Sequence, residues 1–211
     1  MNVQTERLTL SGAAGAIEAA RDAASLPDGA APRGVAILAH PHPLFGGTMD
    51  NKVVQTLARA FVQLGYRAVR FNFRGVGGSA GAWDDGRGEI DDALAVIAKQ
   101  RAAAPGLPLA LGGFSFGGYV AANAADRLAA TDAVHRLVLV GPATSRFAMP
   151  ATVAPDTLVI HGEADDVVPL AATLDWARPQ VLPVVVLPGV GHFFHGQLAL
   201  LKTLVVQAWR A

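Results

Sequence analysis

Six short apolar runs rich in β-branched residues punctuate the chain: VAILAH at 35–40, RAVRFNF at 67–73, LALGGF at 109–114, RLVLVG at 136–141, TLVIHG at 157–162 and VVVLPG at 184–189. Runs of this length without regular polar alternation read as strands buried on both faces. Helix-length segments lie between and after them, at 49–64, 89–103, 116–130, 170–177 and 198–209, several with apolar residues three and four apart. Strand then helix, repeated, demands a mostly parallel sheet with helices on its faces. Ahead of the first run, ERLTL reads as an edge strand. The segment GAAGAIEAARDAASLPDGAAPRG fits a second edge strand with a loop better than a helix. Glu89, Asp91 and Asp92 open the second helical segment, where carboxylates suit the positive end of the macrodipole, so their role is structural.

No repeat, charge block or polar linker interrupts this pattern, which implies one domain over residues 1–211. Seventeen basic and seventeen acidic side chains cancel, which removes the electrostatic footprint of a nucleic-acid binder. The absence of cysteine excludes disulfides, thiolate metal sites and a cysteine nucleophile. Glu6 and Arg7 break the apolar core that a secretory signal requires, and no run approaches a membrane span, so a cytoplasmic protein without membrane attachment is expected. The mean hydropathy of +0.35 points to an interface such as a homodimer would bury.

In open sheets of this kind the ligand crevice lies beyond the carboxyl ends of the strands. After the third run stands Gly113-Phe114-Ser115-Phe116-Gly117, the G-x-S-x-G pattern of a serine on a strained strand-to-helix turn. Gly77-Gly78-Ser79-Ala80-Gly81 matches the same expression. Ser79, however, trails its strand by several residues and runs into GAWDDGRG, which cannot start a helix at once, whereas Ser115 joins a strand directly to a helical segment. Ser115 is therefore the candidate nucleophile and Ser79 a loop serine.

A serine hydroxyl needs a base to take its proton and an acid to orient that base. With this elbow the partners follow in the order acid, then histidine. HGEADDVVP offers Asp165, Asp166 and, less well placed, Glu163; GVGHFFHG offers His192 on a flexible turn directly after a strand, with His195 further on. His192 is the candidate base, and chemistry alone does not choose between the adjacent aspartates. For the oxyanion hole, the N–H of Phe116 supplies one donor and the loop HPHPLFGGTMDN a second. Pro41 and Pro43 have no N–H, which leaves His42 and Leu44.

Together HPHPLFGGTMDNKVV, RFNFRGVGGSAG, GFSFGG, HGEADDVVP and GHFFHG resemble the α/β-hydrolase superfamily over residues 35–209, in particular small cap-less serine hydrolases similar to dienelactone hydrolases and simple bacterial esterases. The resemblance implies an α/β-hydrolase fold: a mostly parallel twisted sheet flanked by helices on both faces, with no lid domain. Related hydrolases carry the acid at the Asp of G-x-x-D-x-x-V-P, here Gly162 to Pro169, which selects Asp165. It further implies a small-molecule acyl substrate and no cofactor or metal. Dienelactone hydrolases proper use cysteine, which this chain lacks. Only residues 142–156 separate two of the strands, too few for a helical lid, so the crevice is expected to be open; Leu44, Phe45, Phe116, Phe193 and Phe194 are candidates for its rim, with ordinary core as the competing place for each aromatic.

Three rival readings compete. Gly75-x-Gly77-x-x-Ala80 imitates a dinucleotide fingerprint but lacks the helix that must follow at once. A zinc hydrolase built on His40, His42, His192 and His195 lacks H-E-x-x-H spacing. A non-catalytic interaction module would have no use for Ser115, Asp165 and His192 together. The sequence thus predicts hydrolysis of a small acyl ester through an acyl-enzyme, with thioesterase or peptidase action as alternatives on the same residues.

Overall fold

The computed structural model describes residues 5–27, 30–132 and 134–210. Six strands run parallel: β3 (Gly34–Ala39), β4 (Tyr66–Phe71), β5 (Leu109–Phe114), β6 (Arg136–Val140), β7 (Leu158–Gly162) and β8 (Val184–Leu187). The expected N-terminal edge strands are β1 (Thr5–Gly12) and β2 (Gly15–Asp22), an antiparallel hairpin laid against β4. The full order is β1-β2-β4-β3-β5-β6-β7-β8.

Helices α1 (Lys52–Gln63), α2 (Arg87–Ala103), α3 (Phe116–Leu128), α4 (Leu170–Ala177) and α5 (Leu198–Arg210) complete the described fold. Successive residues of each central strand point to opposite faces. Ala36 and Leu38 of β3 therefore pack with Leu57 and Phe61 of α1 and Val205 of α5, while Val35 and Ile37 pack with Val96 of α2 and Val120 of α3. Both faces of the central strands β3 and β5 are dry, which is why those strands carry no polar alternation. This is an α/β-hydrolase fold, and residues 141–157, between β6 and β7, hold no helix that could form a lid.

Among the element ends that differ from the sequence expectation, two have local reasons in side-chain hydrogen bonds. β4 stops at Phe71, because the N–H of Phe73 leaves the ladder and donates to the His40 ring. Helix α1 starts at Lys52, three residues late, because Asn51 caps it by accepting the N–H groups of Val53 and Val54. The carboxylate of Glu89 accepts the N–H of Gly86 ahead of α2, as a structural acid at a helix start should. Asp92 instead grips the Arg74 guanidinium through both oxygens.

The chain winds from β3 to β4 on one side, then crosses back to β5 on the other. The point of reversal lies between β3 and β5, so the loop after β3 and the turn after β5 open onto one crevice. Among the described residues no helix is long and apolar enough to cross a membrane. Leu57 is wholly buried between α1 and the sheet; Leu57→Ala should cost about 2–5 kcal/mol of stability, read as a lowered urea midpoint at unchanged slope.

Candidate active site

Ser115 joins β5 to α3 with φ 56° and ψ −119°, a conformation costly for any residue with a Cβ. The turn persists because its neighbours approach closely. A Cβ on Gly117 would collide with the carbonyls of Ala39 and His40, and one on Gly113 with the carbonyl of Gly117. Small residues at both positions let α3 press against β3. The N–H of Ser115 donates to Val140 O at 2.9 Å, while its carbonyl accepts from Gly118 and Ala143, so the backbone is held from two sides.

The hydroxyl points at His192. Ser115 Oγ lies 3.0 Å from His192 Nε2, and His192 Nδ1 lies 2.7 Å from Asp165 Oδ2. A carboxylate can only accept, so Nδ1 carries the proton and Nε2 presents its lone pair to the serine. All three residues are at least 93% buried: Ser115 is 7% exposed, Asp165 7% and His192 3%. The Phe114 ring supports the imidazole at 4.8 Å between centroids.

The loops carrying the acid and the histidine are stitched together, Glu163 N–H to Leu187 O and Ala164 N–H to Val190 O. Asp165 Oδ1 accepts the N–H groups of Val167 and Val168 at 3.0 and 2.8 Å. Burial pushes the Asp165 carboxyl upward, but the hydrogen bonds from His192, Val168 and Val167 outweigh it and hold the group below the ordinary carboxylate range. Asp166 is exposed, and Glu163 reaches away to the N–H of Gly189. Only Asp165 of the three meets His192.

Of the oxyanion candidates, Leu44 drops out: its N–H donates to the ring Nδ1 of His42 at 3.2 Å, closing the turn Pro43–Phe45. The N–H groups of His42 and Phe116 have no hydrogen-bond partner among the described residues. The five rim residues divide. Leu44, Phe45 and Phe193 are exposed by 65%, 76% and 47%, whereas Phe116 and Phe194 are buried core. Trp83 and Phe147, unnoticed in the sequence, are half-buried and stack with His42 over Phe116, at 4.4 Å for His42–Trp83 and 5.0 Å for Phe116–Phe147.

Ser79 is indeed a loop serine: its hydroxyl donates to Asn72 O and accepts the N–H of Glu18, tying the hairpin to β4. The glycines around it lead into turns, and α2 begins only at Arg87.

The loop after β3 is pinned at both ends by side chains to which the sequence reading gave no such role. At one end His40, fully buried, donates from Nδ1 to Pro41 O at 2.6 Å and accepts the N–H of Phe73 at Nε2. At the other, Met49 is held from both sides: Arg70 donates to its carbonyl at 2.9 Å, and Asn72 accepts its N–H at 2.8 Å. Arg70 is itself buried and balanced by Asp22 and Asp50. The signal was present as two polar residues in RFNF, inside an otherwise apolar strand.

A family model described as serine aminopeptidase, S33, matches residues 30–155. A lid-less α/β serine hydrolase from Xanthomonas campestris is 38% identical with a TM-score of 0.86, over 100% of this chain and 95% of that one. The chain belongs to the α/β-hydrolase superfamily, within the S33 family. A second relative of this hydrolase, an α/β serine hydrolase homologue from Coxiella burnetii, is 38% identical with a TM-score of 0.82, over 96% of each chain. An uncharacterized protein of Rickettsia prowazekii is 46% identical over 88 residues, 41% of this chain; the match spans 37% of that protein's length.

Burial lowers the pKa of His40 to about 4 against its Pro41 hydrogen bond, and lowers that of His161 as well. Both side chains are neutral in the folded hydrolase at pH 7, whereas in the unfolded chain they protonate near pH 6.5. The unfolded state therefore binds more protons between those values, and stability present above pH 6.5 is lost as pH falls toward 4. For His40 the loss amounts to about 3 kcal/mol. Urea unfolding between pH 7 and pH 4.5 should show this decline, and His40→Leu, though less stable at pH 7, should flatten it.

Proposed function

We propose that this hydrolase cleaves small, uncharged acyl esters through Ser115, His192 and Asp165. The observation that carries the reading is the unbroken hydrogen-bonded line from Ser115 Oγ through both ring nitrogens of His192 to Asp165 Oδ2. His192 Nε2 takes the hydroxyl proton as Ser115 Oγ bonds to the ester carbonyl carbon. The resulting imidazolium is balanced by Asp165, whose depressed pKa keeps it ionised. The N–H groups of Phe116 and His42 receive the negative charge on the former carbonyl oxygen. Collapse breaks the bond to the alcohol oxygen, which leaves with the proton from His192. Water then repeats the sequence on the acyl-enzyme, releasing the acid and restoring the serine.

The side chains gathered around the serine favour apolar substrate groups. Leu44 and Phe45 stand exposed on the loop that carries His42, Phe193 stands beside the base, and the half-buried His42, Trp83 and Phe147 supply aromatic surface. The His42 ring remains uncharged there, because burial and then the nearby Arg146 lower its pKa. The absence of a lid suits an acyl group presented from solution.

A fluorophosphonate probe should label the protein, and Ser115→Ala should abolish both labelling and turnover of p-nitrophenyl esters, the latter by about 10⁴- to 10⁶-fold. Retained labelling in Ser115→Ala would overturn the assignment. Comparison of p-nitrophenyl esters with p-nitroanilides separates esterase from peptidase action. Trp83→Ala should raise KM several-fold for longer or aromatic acyl groups while leaving acetyl turnover nearly unchanged, measured as kcat and KM across an acyl series.

A further inference from the structure

His161 lies on β7 four residues ahead of Asp165 and is wholly buried, and no step described above uses it. Its Nε2 makes a 2.9 Å hydrogen bond to the carbonyl of Val168 and stands 3.4 Å from Asp165 Oδ2, the oxygen that also accepts the hydrogen bond from His192 Nδ1. A carbonyl can only accept, so Nε2 carries the hydrogen. Val168 is then held by both its polar groups, its N–H on Asp165 Oδ1 and its carbonyl on His161. The turn that presents Asp165 is closed from one side by its own carboxylate and from the other by this imidazole.

The other ring nitrogen makes the placement informative. With the hydrogen on Nε2, Nδ1 bears a buried lone pair, and among the described residues it has no partner. An unmet buried acceptor is destabilising, and an aliphatic side chain of similar size would avoid it. Packing alone therefore favours leucine here; what only a donor supplies is the bond to Val168 and the N–H edge beside Oδ2. Burial keeps the ring uncharged. A second cation beside Asp165 would compete with the imidazolium that forms on His192, and the charge on His192 in turn opposes one on His161.

We propose that His161 is a positioning residue: as a neutral donor it locks the Asp165–Val168 turn so that Oδ2 faces His192 Nδ1. The proposal rests on the Ser115, His192 and Asp165 reading, and its test is arranged to separate the two. His161→Leu should lower kcat for a p-nitrophenyl ester by about ten- to a hundred-fold with KM changed by less than about threefold, since the effect falls on geometry at the reacting centre. Its thermal midpoint should change little, since removal of the unmet Nδ1 acceptor offsets the Val168 carbonyl left without its donor. His161→Gln, whose terminal amide can again donate to Val168, should recover most of kcat. Full kcat in His161→Leu, or equal losses in the two variants, would overturn the proposal.

Asp165→Ala is measured alongside. If it loses activity while His161→Leu does not, only the positioning role fails; if Asp165→Ala also retains activity, the underlying reading fails with it. Nitrogen-15 NMR of the unmodified protein gives a check independent of how any variant folds. It should show His161 as the neutral Nε2–H tautomer at pH 7, and a hydrogen on Nδ1 would refute the proposal.

Discussion

The close contact of α3 with β3 behind Ser115 is the constraint on which the rest of the site depends. Gly117 abuts the carbonyls of Ala39 and His40, so the helix begins immediately under the strand end and the serine takes up a positive φ. That contact does two things at once. It lifts the hydroxyl out of the sheet toward His192, and it brings the N–H of Phe116 near the loop that carries His42. Strain at one residue is sustained by the packing of two elements, in keeping with how unfavourable backbone geometry survives at functional sites.

A second layer of organisation comes from buried polar groups that neither react nor face solvent. His40, Arg70 and Asn72 secure the loop after β3, and His161 secures the turn after β7. Each reaches a backbone carbonyl or N–H that regular structure leaves unpaired, and such groups must be met when water is excluded. The interior is apolar along both faces of the sheet and polar at the upper ends of the strands. The division follows from the topology, because loops concentrate where the parallel strands end.

Much of this arrangement was legible in the sequence. The strand–helix alternation required only apolar periodicity, whereas the choice of Ser115, Asp165 and His192 drew on the elbow pattern, its chain order and the G-x-x-D-x-x-V-P resemblance as well as on each following a strand. Asp165 and Asp166 could not be separated by chemistry, since neighbours in a turn differ in which way they point; the amides of Val167 and Val168 decide it by capturing Asp165. Leu44 and His42 could not be separated either, because the competing acceptor was the His42 ring itself. Phe116 and Phe194, grouped in the sequence with Leu44, Phe45 and Phe193, proved to be core, as aromatic identity carries no information about depth. Trp83 and Phe147 went unseen because their convergence on His42 joins loops distant along the chain.

The seventeen-residue connection between β6 and β7 carries a consequence for how this hydrolase works. Enzymes that close a cap over the substrate can dry and align their reacting groups at the moment of binding. Under the mechanism proposed above, the groups that would react, Ser115, His192 and Asp165, are buried and hydrogen-bonded in line without any such cover. On that mechanism the readiness of the site is built during folding rather than upon encounter.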